Sequence, residues 1–86
     1  MEVKFSPQAL NDLAHWKRSG NKKAPQKITE LTNSILKDPF NGVGKPEPLK
    51  YKMAGLWSRR ITWEDRYVYE VQDQLIIVHP LKGHYD

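Results

Sequence analysis

Cysteine is absent from this chain, so neither a disulfide nor a thiolate metal ligand can form. Long apolar runs are absent too. The longest, Leu75 to Val78, falls far short of the ~20 residues that cross a bilayer as a helix. The start, Met1-Glu2-Val3-Lys4-Phe5, lacks the layout of a secretory leader, and a soluble cytoplasmic protein is expected. The Gly42-Val43-Gly44 stretch runs into prolines rather than a helix, which excludes a phosphate-binding glycine loop. His15, His79 and His84 are scattered, and no two-histidine helix motif occurs. Neither a metal nor another cofactor is expected. No repeat or low-complexity segment is present.

What remains is a small chain with a modest basic excess. Its 86 residues bound a single domain, 1–86, with a thin core. Three Trp, four Tyr and two Phe offset this, since each aromatic covers about 150–250 Å² when buried. Lys and Arg number 14 against 10 Asp and Glu, a formal charge of +4. That balance mildly favours polyanionic partners, and the placement of the charges has to decide.

Met1, Val3 and Phe5 alternate as a strand does. Ser6-Pro7 signals a helix start, and Ala9, Leu10, Leu13 and Trp16 give it an apolar stripe. Ser19-Gly20-Asn21 ends that helix, and Asn21 can cap the next. Ala24, Ile28, Leu31 and Ile35 mark the buried face of a second helix, stopped at Asp38-Pro39. After a Gly- and Pro-rich loop the period changes to two. Leu49 to Met53, Leu56 to Trp63, Arg66 to Val71 and Leu75 to His79 read as strands, separated by Ala54-Gly55, Glu64-Asp65 and Asp73-Gln74. The fold class is α+β: a strand, a two-helix hairpin, then an antiparallel meander. The helices cover one face of a four- to five-stranded sheet. With Trp57, Ile61, Tyr67, Tyr69 and Val71 turned to the helices, period two sends Lys50, Lys52, Arg60 and Arg66 to the open face. Such a face suits a polyanion.

Three side chains there carry possible chemistry, each with a plainer alternative. Glu47 lies between Pro46 and Pro48, which stiffen its backbone, among Lys45, Lys50, Arg59, Arg60 and Arg66. It is either a held base or a solvated loop carboxylate. Arg66 opens a strand, and its forked donors suit a phosphate or a salt bridge to Glu64. His84 suits proton donation near neutrality or belongs only to the tail. Beside it, Tyr85 can stack on a base or simply pack.

Lys45-Pro46-Glu47-Pro48-Leu49-Lys50, Gly55-Leu56-Trp57-Ser58-Arg59-Arg60-Ile61-Thr62, Arg66-Tyr67-Val68-Tyr69 and His84-Tyr85 together resemble the YoeB/Txe toxins. These belong to the RelE/ParE superfamily of bacterial toxin–antitoxin modules. The resemblance covers nearly the whole chain and implies a RelE/ParE-like fold. It implies an endoribonuclease that cuts messenger RNA in the A site of the 70S ribosome and so inhibits translation. It gives Glu47 the role of general base, Arg66 that of phosphate stabiliser and His84 that of general acid. Tyr85 aligns the substrate, with Lys50, Arg59, Arg60 and Glu64 as further substrate-side residues. A cognate antitoxin of the YefM/Phd type and a homodimer are the implied protein partners. Asp86 departs from the family by following the usual terminal tyrosine. Rival readings are a gyrase poison of the ParE branch, a non-catalytic RNA-binding module and a structural partner.

Overall fold

Alternation at the N-terminus yields strand β1, Glu2–Phe5, with Val3 and Phe5 half-buried and their neighbours exposed. The structure, a computed structural model, describes residues 1–81. Helix α1, Pro7–Arg18, begins as the Ser6-Pro7 pair requires, with the Ser6 hydroxyl accepting from the Ala9 amide at 3.1 Å. Its buried stripe is Ala9, Asp12 and Trp16, and Leu10 is 54% exposed rather than part of it. Asp12 takes that inner position because its carboxylate has two donors. Gln8 Nε2 donates to Oδ1 at 2.9 Å and the Leu81 amide to Oδ2 at 2.9 Å.

Helix α2, Lys23–Lys37, buries Ala24, Ile28, Leu31 and Ile35 as their spacing predicts. Ile28, Leu31 and Ile35 each contribute about 1.5–3 kcal/mol when buried. The Asn21 side chain accepts from the Ala24 amide at 3.1 Å, so it does cap this helix. At the far end Asp38 accepts from the Phe40 amide and from the Asn41 side chain, and these bonds hold its carboxyl below the usual range.

Strands β2 (Glu47–Pro48), β3 (Leu56–Arg60), β4 (Arg66–Gln72) and β5 (Leu75–Val78) follow. Among the described residues, five strands form one sheet in the order β1-β5-β4-β3-β2. The meander is antiparallel, while β1 pairs parallel with β5. Both helices pack on one face, where Tyr67, Tyr69, Ile76 and Val78 join their apolar side chains in the core.

Two strand expectations fail. Leu49 to Met53 is not a strand. The ladder continues only as far as Leu49, whose amide donates to the Leu56 carbonyl at 2.9 Å, and Tyr51–Met53 then forms a 3₁₀ turn. Tyr51 there has φ of 58°, which no extended segment permits. The strand read as Leu56 to Trp63 stops at Arg60. Thr62 Oγ1 captures the amides of Glu64 and Asp65 at 3.2 and 2.9 Å, turning the chain early. Trp63, left beyond the strand's end, is 83% exposed.

Candidate active site

Glu47 stands on edge strand β2, and a chain of contacts behind it fixes its position. Arg59 is fully buried on the helix side of the sheet. Its Nη2 donates to the carbonyls of Asp38 and Asn41 at 2.7 and 3.1 Å. Nη1 donates to Ser34 Oγ and the Val43 carbonyl at 2.7 and 3.2 Å. One guanidinium thus ties α2 to the loop after it. That loop reaches β2 through Gly44, whose φ of 84° and closeness to Leu31 and Arg59 leave no room for a Cβ. The Gly44 carbonyl accepts from the Arg60 amide at 2.7 Å. Arg59 was expected among the substrate contacts. Its burial makes it a positioning residue instead.

Register sets the rest. Glu47 lies opposite Ser58, Ser58 opposite Val68, and Arg60 opposite Arg66. These side chains share the face away from the helices, because their neighbours Arg59 and Tyr67 bond to α2 through Ser34 and Thr32. Strands lie about 4.8 Å apart, so Glu47 and Arg66 sit about 12 Å apart at Cα on that face. That gap admits one phosphodiester between a carboxylate and a guanidinium. Glu47 and Arg60 are exposed and Arg66 is half-buried. Arg66 Nη1 donates to the carbonyls of Thr62 and Trp63 at 3.3 and 3.2 Å, bracing the guanidinium against the turn between β3 and β4. Arg60 lies 6.0 Å from the centre of the Trp63 ring.

Lys50 is exposed, but on the loop after β2 rather than on a strand. Lys52 lies in the same turn, so the cations on the sheet itself reduce to Arg60 and Arg66 in this region. Glu64 is exposed at the turn beside Arg66. His84 and Tyr85 lie outside the described residues. His79 packs at the sheet, its amide bonded to the Val68 carbonyl at 2.8 Å and its ring 3.5 Å from Glu70.

Behind the site the tyrosines form a second support. Tyr67 OH pairs with Thr32 Oγ1 at 2.7 Å, and burial pushes its phenol up to about 12 against that bond. Burial also raises Tyr69, opposed by the Arg59 hydrogen bond. Sequence reasoning missed the burial of Asp12 and Arg59. Parity was an available signal for Arg59, which sits at period two between Trp57 and Ile61.

Comparison with known proteins agrees with this fold. A family model described as "YoeB-like toxin of bacterial type II toxin-antitoxin system" matches residues 5–85. Toxin YoeB of Escherichia coli K12 is 40% identical over 85 residues, covering 99% of this chain and 100% of that protein. A YoeB/ParE toxin structure from Agrobacterium tumefaciens superposes with a TM-score of 0.93 at 39% identity, over 99% of this chain and 100% of that one. The chain is also similar to the toxin in a YoeB–YefM complex from Staphylococcus aureus, with TM-score 0.87 and 44% identity over 96% of this chain and 95% of that one.

Proposed function

Because this chain belongs to the YoeB family of toxins from bacterial type II toxin–antitoxin systems, we propose that it cuts messenger RNA held on the ribosome. The supporting observation is the register that puts Glu47, Arg60 and Arg66 on the sheet face away from the helices. Glu47 takes the proton from the 2′-hydroxyl next to the scissile phosphate. The freed oxygen bonds to phosphorus as the bond to the departing 5′-oxygen breaks. Arg66 balances the charge that builds on the phosphoryl oxygens. His84 gives a proton to the 5′-oxygen. The products are a 2′,3′-cyclic phosphate and a 5′-hydroxyl.

The role given to His84 rests on the family resemblance. Strand β5 runs antiparallel to β4, so the backbone beyond Val78 heads toward the end where β4 starts at Arg66. Leu81, the last described residue, is anchored to Asp12. Tyr85 aligns the substrate, and Lys50 and Arg60 hold the backbone of the RNA. Glu64 supports the turn beside Arg66.

The inhibitory partner is an antitoxin of the YefM type, as in the Staphylococcus aureus complex, and the free toxin forms a homodimer, as a solved YoeB from that organism does. The test is to map the 5′ and 3′ ends of transcripts after brief expression of this chain. Cuts at a fixed place within the reading frame that vanish when translation is blocked are expected. Uncut transcripts, or cuts indifferent to translation, would overturn the reading.

A further inference from the structure

Trp63 is a large apolar side chain that this fold declines to bury. It is 83% exposed, although the core beneath it is thin. The turn that carries it is firmly held. Thr62 Oγ1 accepts from the amides of Glu64 and Asp65 and donates to Asp65 Oδ2 at 3.1 Å, and the Ile61 amide donates to the Asp65 carbonyl at 3.0 Å. The ring therefore stands on a rigid loop. Two candidate phosphate-binding cations touch this residue. Arg60 lies 6.0 Å from the ring centre, and Arg66 Nη1 bonds the Trp63 carbonyl at 3.2 Å. Since Arg60 leaves the sheet on the open face, the ring lies on that side as well.

We propose that Trp63 is a stacking platform for an RNA base next to the phosphate held by Arg60 and Arg66. An exposed indole flanked by guanidinium groups presents what single-stranded nucleic acid needs: a π-face for the base and cations for the backbone. The Arg60 guanidinium steadies the ring and leaves the opposite face open to a base. An acidic protein segment would satisfy the cations but gains nothing specific from a flat ring at this spacing. The inference rests on the reading of this face as an RNA site, and it assigns Trp63 substrate positioning rather than chemistry.

The test uses the full chain carrying Glu47→Gln, so that bound RNA is not cut, and a single-stranded oligoribonucleotide as the probe. Trp16 is buried and Trp57 half-buried, so quenching of emission on RNA binding reports mainly on Trp63. Quenching is expected. Adding Trp63→Ala should weaken binding about tenfold, and Trp63→Phe should recover most of it. On a strand with abasic riboses the indole and alanine versions should bind alike. Equal binding by the Trp63→Ala protein, absent quenching, or an equal loss on the abasic strand would each overturn the proposal. So would a Trp63→Ala effect confined to an antitoxin peptide, which would assign the ring to a protein partner. Failure of the cleavage reading is separable. A Glu47 protein that binds RNA through Trp63 but never cuts it refutes cleavage alone. One that cuts equally with or without the indole refutes stacking alone.

Discussion

Arg59 Nε donates to the Tyr69 hydroxyl at 3.1 Å, and that hydroxyl donates onward to the Pro39 carbonyl at 2.6 Å. A buried cation and a buried phenol thus hold the loop that leads to Glu47, although neither faces substrate. Replacing Arg59 by Leu takes the guanidinium donor from the Asp38, Asn41 and Val43 carbonyls. A loss of about 3 kcal/mol or more is expected, measurable by urea denaturation. Arg59→Lys recovers little, because one ammonium cannot reproduce the fork.

Asp12 makes an equivalent tie at Leu81, the last described residue. Asp12→Ala strips the buried Leu81 amide of its acceptor and should cost about 1–3 kcal/mol. The segment leading to His84 loses its anchor, so cleavage by the folded protein should drop by up to about 100-fold. Asp12→Asn keeps a carbonyl acceptor and should restore much of both. Thermal melts and single-turnover cleavage read the two effects separately.

Alkaline stability follows from the buried phenols. An unfolded tyrosine ionises near 10, whereas Tyr67 in the fold holds its proton to about 12. Tyr69 is shifted the same way. Stability from these groups is complete below about pH 10 and is lost as pH rises toward 12, since the unfolded chain then releases protons that the fold retains. Absorbance titration should show Tyr67 and Tyr69 ionising only as the protein unfolds.

Arg66 and Lys50 should separate on mutation. Arg66→Ala should lose cleavage by about 100-fold or more while the chain stays folded. Arg66→Lys should recover only part, lacking the bidentate grip. Lys50→Ala should mainly weaken RNA binding and reduce its salt slope by about 0.7, the share of one phosphate contact on a single strand. Cleavage kinetics and binding at several salt concentrations distinguish them.

The helices and most of the sheet were legible in the sequence because their burial follows simple periods. Ala24, Ile28, Leu31 and Ile35 needed only a 3.6-residue repeat. The errors fall where a polar group overrode the pattern. Asp12 entered the core because Leu81, far along the chain, supplied a donor. Arg59 was treated as a surface cation by residue type, while its parity with Trp57 and Ile61 turned it inward. Trp63 was read as the end of a strand, and the Thr62 hydroxyl ended that strand before it. The β2 carboxylate and the β3–β4 arginine pair were identifiable as candidates from sequence. Period two already put Arg60 and Arg66 on one face, and only the register shows that Glu47 shares it.

The central claim is that the RNA supplies its own nucleophile to a site made by Glu47, Arg66 and His84. The most direct measurement replaces the ribose at the cleaved nucleotide with 2′-deoxyribose in an otherwise unchanged message on the ribosome. The account requires that cutting at that position disappear while binding persists. Cutting at the normal rate would contradict it.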